Sequence, residues 1–281
     1  MLHEIYPRHL NIEYRNRNAE SRDFVINVKD NTILVHDDDM ALRLPTAEEC
    51  GLKEDGPEQF RYLFCIDEDY FYLNVSDKLP EENGTFTYAV VNSLRKYKPG
   101  YVAYAAALGY RLAVWYASSA FCGKCGARTE HAGKERAMVC PACRNRIYPT
   151  IAPSVIVLLK DGERAVLTRY QASHNSYRHY ALVAGYVESG ETPEEAVARE
   201  VMEEVGLRVK NITYYKSQPW PLSGALLLGY ICELDGDDTI LRDDEELEEA
   251  LWMNREDIPE RSADVSLTSE LMENFRTGKI R

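Results

Sequence analysis

The sequence predicts an α+β fold, and three observations carry that expectation. Short alternating apolar runs with acidic turns fill residues 1 to about 95. Strand and helix patterns mix beyond Ser154, without the regular strand–helix alternation of a parallel α/β sheet. Between them lie two Cys-x-x-Cys pairs. The expected division is a β-rich domain ending in a helix over residues 1–117, a ribbon over 118–148 and a C-terminal domain over 149–281. A chain of 281 residues has ample core for that plan.

In the first domain, Phe24–Val28 and Thr32–Val35 flank Lys29-Asp30-Asn31, a hairpin signal. Tyr62–Ile66 and Tyr70–Val75 flank Asp67-Glu68-Asp69 in the same way. His3, His9 and His36 lack a partner pattern and read as packing or surface residues. Tyr101–Ala117 is apolar and alanine-rich and predicts a helix, with its tyrosines and Trp115 in the core. Further on, strands are expected at Ser154–Leu159, Ala165–Thr168, Tyr180–Val183, Ile212–Tyr215 and Ala225–Glu233, with a tight turn at Asp161-Gly162. Ser266–Phe275 has helical spacing.

The net charge of −13 argues against a general nucleic-acid binder, which carries a basic footprint. No run of eighteen apolar residues offers a membrane span. Seven cysteines, an odd number, with no apolar signal segment at the start, point to a reducing cytoplasm.

Four of those cysteines are organised. Cys122 and Cys125 form one pair and Cys140 and Cys143 the other, fourteen residues apart, each in a tight turn. This is the pattern of a zinc ribbon; two disulfides or a redox pair are the alternatives. Four thiolates leave no open position, so such a zinc is structural. Cys50, Cys65 and Cys232 sit in or beside apolar runs and read as small core residues.

The most informative run is Gly185–Leu207, GYVESGETPEEAVAREVMEEVGL. Thr192 predicts an N-cap, Pro193 the first helical position, Glu195 a capping box and Gly206 a left-handed stop. Ala198, Val201, Met202 and Val205 have the spacing of a buried stripe. Glu200, Glu203 and Glu204 share another face, where like charges cost roughly 0.2–0.5 kcal/mol per pair. An acidic cluster kept at that cost suits Mg²⁺ or Mn²⁺, which prefer carboxylate oxygens and leave room for phosphates. A solvated acidic face is the alternative for the three glutamates alone.

With both glycines, Glu191 and Arg199 in register, this run resembles the complete Nudix box. The resemblance implies a Nudix α/β/α sandwich that cleaves a diphosphate linked to another moiety. It implies Glu200, Glu203 and Glu204 as Mg²⁺ or Mn²⁺ ligands, one of them also a base. Arg199 would hold the cluster, Glu191 would support it, and Gly185 would allow close approach of the preceding loop. Ser217-Gln218-Pro219-Trp220-Pro221 follows the box. With the ribbon ahead of the box, it resembles the signature of the NADH pyrophosphatase family. The order of parts matches that family over essentially the whole chain, most weakly in the first 95 residues.

That family splits NAD(H) into nicotinamide mononucleotide and AMP, some members remove NAD caps from RNA, and a homodimer is implied. Tyr186 and Trp220 match positions that sandwich a base, Gln218 and Tyr148 match substrate contacts, and Glu246 matches a further metal ligand. Trp220, between two prolines, reads as a rigid aromatic with an exposed edge. Glu245, Glu248 and Glu249 beside Glu246 leave that register open. The chain departs from the family at Leu222-Ser223-Gly224-Ala225, where a hydroxyl is expected at 225 and Ser223 is its candidate substitute. These departures leave ADP-ribose, diadenosine polyphosphate and NAD-capped RNA as alternative substrates. A dinucleotide-binding regulator without hydrolysis is the remaining reading. RNA would need a basic path, and Lys124, Arg128, Lys134, Arg136, Arg144 and Arg146 are its candidates.

Overall fold

The computed structural model describes residues 1–38, 41–51, 59–76, 78–97, 99–171, 179–260 and 266–280. Leu2–Thr150 with Pro221–Gly224 form one compact unit; Met1, Ile151–Trp220 and Ala225–Arg281 form the other.

In the first unit, one sheet has the order β1 (Leu10–Asn11), β6 (Phe60–Ile66), β7 (Asp69–Asn74), β2 (Phe24–Ile26). A second joins β3 (Val28–Lys29), β4 (Thr32–Asp38) and β5 (Ala41–Arg43), with β8 (Thr87–Val90) beside β4. Both expected hairpins form. Lys29 pairs with Thr32 and Ile66 with Asp69, and the acidic residues Asp30 and Asp67 take φ of 53° and 52° at the turns. The apolar run 24–28 divides between the sheets, β2 parallel to β7 and β3 antiparallel to β4. Helix α1 (Gly100–Ser118) buries Ala103, Ala105, Ala106, Ala113, Tyr104, Trp115 and Tyr116 in the core of this unit, while Ala117 at its end is exposed. Cys65 is buried as expected. The ribbon strands β9 (Glu130–His131), β10 (Met138–Val139) and β11 (Arg146–Ile147) form a small antiparallel sheet.

The second unit is a six-stranded mixed sheet. Its order is β15 (Val209–Trp220), β16 (Ala225–Leu234), β12 (Ala152–Asp161), β13 (Arg164–Tyr170), β17 (Leu247–Asn254), with β14 (Val183–Tyr186) also on β12. Only β12 and β16 run parallel; the other pairs are antiparallel. Alternation along β12 sorts side chains to two faces. Val155, Val157 and Leu159 pack with helix α2 (Pro193–Val205). Ile156 and Leu158 pack with α3 (Leu267–Arg276). Both faces are covered, giving the expected sandwich of helix, sheet and helix.

Three expectations shift in register. The strand expected at Tyr180–Val183 is β14, Val183–Tyr186, because those four residues pair with Ser154–Val157; Ala181 makes only an isolated bridge to Thr168. Asp161 pairs with Arg164, so the turn residues are Gly162 and Glu163. On α2, Ala198 is exposed and Met202 is 45% exposed; the buried residues are Ala196, Val197, Val201, Glu204 and Val205. Burial of Ala196, Val197, Val201 and Val205 sets the stripe and carries Glu204 to the sheet side of the helix.

Candidate active site and four-cysteine centre

Helix α2 begins and ends as its residues dictate. The Thr192 hydroxyl accepts the Glu195 N–H at 3.2 Å, and the Glu195 carboxylate accepts the Thr192 N–H at 2.8 Å. Gly206 stops the helix at φ 70°, a left-handed conformation that glycine adopts without a Cβ penalty.

Arg199 organises the acidic face with five hydrogen bonds. Nε and one terminal nitrogen grip Glu191 at 2.7 and 2.8 Å. The other terminal nitrogen donates to Glu200 at 2.8 Å and Glu203 at 2.9 Å. The fifth bond reaches the Tyr186 carbonyl at 2.9 Å, tying β14 to the helix. Glu191 also accepts the Glu188 N–H at 3.0 Å. The guanidinium beside it, with that N–H, holds the Glu191 carboxyl down at about 2. Burial pushes Glu200 the other way, above the usual carboxylate range, against the pull of Arg199. Glu203 stays exposed at the helix surface.

Gly185 leaves room for the Glu200 carboxylate in its observed position. A Cβ at this position would stand 2.0 Å from the Glu200 carboxyl carbon, so only glycine lets strand and carboxylate share the space.

Glu204 is the most constrained member. It is 2% exposed, and its Oε1 accepts the Ala184 N–H at 3.2 Å. Its Oε2 is sealed from solvent without a hydrogen-bond partner. Burial, then the charges of Glu200, Glu246 and Asp243, raise it to about 8 against the Ala184 N–H. Glu246 lies exposed just before β17, with its charge acting on both Glu200 and Glu204. A buried carboxylate oxygen with no proton donor, facing further carboxylates, fits a divalent cation with oxygen preference. Among the described residues no three of these carboxylates bring oxygens within 4.8 Å of one another.

The expected substrate residues fall on different surfaces. Tyr186 is 53% exposed at the end of β14. Trp220 ends β15 half-buried against the core cluster of α3, so more than an edge is packed. By register Tyr186 aligns with Ser154, and Trp220 with Ala225 and through it Ala152. Three strand spacings of about 4.8 Å put their backbones roughly 14 Å apart.

Gln218, expected to contact substrate, is 0% exposed, and its Oε1 accepts the N–H of Leu267, the first residue of α3, at 2.7 Å. That bond holds the start of α3. In the first unit, Tyr148 is 51% exposed, with its hydroxyl 3.4 Å from Glu135. Ser223 is exposed in the turn that follows Trp220, where Leu222 packs on the core of the first unit. Gly224 takes φ 79° and lies against the Arg111 guanidinium, which leaves no room for a side chain. Ala225 is buried, so the hydroxyl missing at this position is replaced by core contact. Sequence reasoning passed over Asp243 and Tyr170, both electrostatic neighbours of Glu204, because neither belongs to a spaced motif.

The four cysteines converge. Their sulfurs all lie within 4.8 Å of one another, with Cys122–Cys143 at 3.6 Å, Cys125–Cys140 at 3.4 Å and Cys125–Cys143 at 3.5 Å. Disulfides need about 2.05 Å. Four thiolates around one Zn²⁺ at about 2.3 Å stand roughly 3.8 Å apart, so the set fits zinc. The two turns are copies of each other. The Cys122 N–H donates to Ala127 and the Cys140 N–H to Asn145, and both cysteine carbonyls accept from the residue four further on. Gly126 and Arg144 occupy that position with φ 75° and 62°. Backbone N–H groups, led by Lys124 and Cys143, pull the Cys122 and Cys140 thiols down, toward the thiolate a metal takes.

Comparison with known proteins follows the same division. Residues 150–275 match the NUDIX domain, and residues 117–148 match the NADH pyrophosphatase zinc ribbon domain. The chain carries a Nudix domain and an NADH pyrophosphatase zinc ribbon. It is 43% identical over 151 residues to the NAD-capped RNA hydrolase NudC of Salmonella typhi, covering 54% of this chain and 58% of that protein. The NudC of Escherichia coli O9:H4 (strain HS) is 42% identical over the same span. The chain thus spans a little over half the length of the curated relatives it matches. A solved NUDIX hydrolase from Nitrosomonas europaea aligns at TM-score 0.49 and 20% identity, over 57% of this chain and 91% of that one.

Two outcomes follow for the Nudix box. Gly185→Ala will displace the flexible Glu200 carboxyl from Arg199, leaving Tm nearly unchanged while hydrolysis falls at least about tenfold; loss of a catalytic group's placement has that order. A thermal melt paired with a turnover assay checks it. Glu204→Gln will stabilise the protein in buffer without Mg²⁺ or Mn²⁺. Its folded-state pKa of about 8 lies above the ordinary 4.5, so wild-type stability is fully present below 4.5 and is lost as pH rises through 8. The stability gap between variant and wild type must widen over that window, reaching about 1–3 kcal/mol. Tm measured from pH 5 to 9 reads it directly.

Proposed function

We propose that this protein hydrolyses the diphosphate of NAD(H), giving nicotinamide mononucleotide and AMP. The observation that carries the reading is the Arg199-held acidic face with its buried, half-satisfied Glu204, in a chain that also bears the NADH pyrophosphatase ribbon.

In this reading Glu200, Glu203 and Glu204, with Glu246 at the rim, hold Mg²⁺ or Mn²⁺. The bound cation supplies charge neutralisation for the diphosphate and acidifies a water. Arg199 fixes the directions of Glu200 and Glu203 and, through Glu191 and the Tyr186 carbonyl, the loop ahead of the helix. Glu200 or Glu204, both raised above the usual carboxylate range by burial, takes the proton of the attacking water, since a raised pKa strengthens a carboxylate as a base.

Tyr186 and Trp220 offer stacking surfaces for the two bases, and Tyr148 and Ser223 add polar contacts. Gln218 is a positioning residue that docks α3 against β15. Zinc on Cys122, Cys125, Cys140 and Cys143 is structural, because four protein ligands leave no place for a reacting water. A homodimer belongs to this reading. Free thiols at Cys50, Cys65 and Cys232 suit the reducing cytoplasm. No helix among the described residues is long and apolar enough to cross a membrane.

NAD-capped RNA is the second substrate, favoured by the activity for which the relatives are named. The ribbon offers RNA a thin basic path. Arg136 is spent on the carbonyls of Ile12 and Leu63, and Arg146 pairs with Glu135. Lys124, Arg128, Lys134 and Arg144 remain exposed.

The test is turnover of a panel of NADH, NAD⁺, ADP-ribose, diadenosine polyphosphate and NAD-capped RNA with Mg²⁺ or Mn²⁺. Glu203→Gln will lose most hydrolysis of every substrate while keeping its circular dichroism. Trp220→Ala will lower kcat/KM for NADH about five- to a hundredfold, the worth of one base–aromatic stack, and that for a diphosphate lacking one base far less. Equal losses on both substrates would make Trp220 a core residue and remove the argument for a dinucleotide.

A further inference from the structure

One polar group beside the acidic face has no task in the mechanism above. Tyr170 ends β13, where a bulge after Arg169 brings it opposite Leu247. The next residue, Gln171, donates its N–H to the Glu246 carbonyl at 2.9 Å, so β13 is tied to the loop that carries Glu246. The Tyr170 ring packs against the core cluster that includes Val197, Val201 and Val205, the buried stripe of α2 on which Glu204 also lies. Three carboxylates, Glu204, Glu246 and Glu200, are its electrostatic neighbours.

Among the described residues the hydroxyl makes no hydrogen bond, unlike that of Tyr180 on Glu249 or Tyr215 on Glu270. The ring is held by packing, and the hydroxyl has the three carboxylates of the acidic face as its charged neighbours. A phenol in that position remains protonated, since burial and the carboxylates both oppose its charge. It is a neutral donor in a ring of acceptors, and an anionic oxygen entering the ring is the partner it lacks.

We propose that the Tyr170 hydroxyl is a substrate-binding group of this site, donating its hydrogen to a non-bridging oxygen of the bound diphosphate. The assignment rests on the hydrolytic reading of the Nudix box and adds a contact from outside the box. It is indifferent to what the diphosphate joins, so it acts on every substrate of the enzyme alike.

Tyr170→Phe tests it, since the ring and its packing are kept. At saturating Mg²⁺, kcat/KM falls about ten- to a hundredfold on every diphosphate the wild type cleaves, the worth of one hydrogen bond to a charged group. Tm and the Mg²⁺ activation midpoint stay unchanged. Calorimetric binding of α,β-methylene-ADP with Mg²⁺ weakens by a similar factor. That second arm separates two failures. If the wild type binds this probe but cleaves nothing, the hydrolytic reading fails and a weaker Tyr170→Phe complex still supports the contact. Unchanged turnover and affinity overturn it. A loss confined to the Mg²⁺ midpoint overturns it too, because the hydroxyl would then be orienting a carboxylate. A wild type that neither binds nor cleaves overturns both.

Discussion

The interaction on which the site depends is the guanidinium of Arg199. All five of its N–H donors are used, on Glu191 twice, on Glu200, on Glu203 and on the Tyr186 carbonyl. Planar geometry is what makes this possible: one arginine joins the start of the helix, its acidic face and the strand ahead of it, where a lysine has a single ammonium to share. Without such a clamp, carboxylates at i, i+3 and i+4 repel and spread into solvent. The clamp holds Glu191 far below its usual range, while burial lifts Glu200, against the pull of Arg199, and Glu204 above theirs. Three carboxylates on one short stretch thereby acquire three different proton affinities.

Burial of Glu204 is the second half of the same design. A helix that covers a sheet presents an apolar stripe, and here one position of that stripe is an acid. Its single protein donor is the Ala184 N–H, and the other oxygen is left without one. An unpartnered buried carboxylate lowers the stability of the empty protein. The sandwich tolerates it because both sheet faces are otherwise packed with apolar side chains, Val155, Val157 and Leu159 toward α2, Ile156 and Leu158 toward α3. Gly185 belongs to the same arrangement, since a side chain there would occupy the space of the Glu200 carboxyl.

Much of this was legible in the residues. Signals that act locally read well: the Thr192–Glu195 capping box, the Gly206 stop, the hairpins at Asp30 and Asp67, and the two cysteine turns. Signals that depend on what an element packs against read less well. Periodicity alone placed Ala198 and Met202 in the core, because it ranks residues by hydropathy and cannot foresee an acid turned inward by Ala184. Gln218 stands in a substrate motif, and its Oε1 accepts the first N–H of α3, some fifty residues away in sequence. The strand at 183–186 was displaced because its pairing with β12, and not its own composition, sets its ends. Tyr170 lies outside every spaced motif and nears Glu204 through sheet order, while Asp243 reaches it from the loop before β17, its N–H on the Glu204 carbonyl. The spacing of Tyr186 and Trp220 is likewise a property of the strand sequence β14, β12, β16, β15.

The claim that unites these features is that the acidic face is built around a divalent cation and stays partly unsatisfied without one. Ligand linkage makes this measurable, since a cation that binds only the folded state raises stability with the logarithm of its concentration. The most direct measurement is Tm as a function of Mg²⁺ concentration at constant ionic strength, for wild type and Glu204→Gln in parallel. The account predicts a saturable rise for the wild type and a flat or much shallower response for the variant. Identical responses of the two proteins, or no response of the wild type to Mg²⁺ or Mn²⁺, would contradict it.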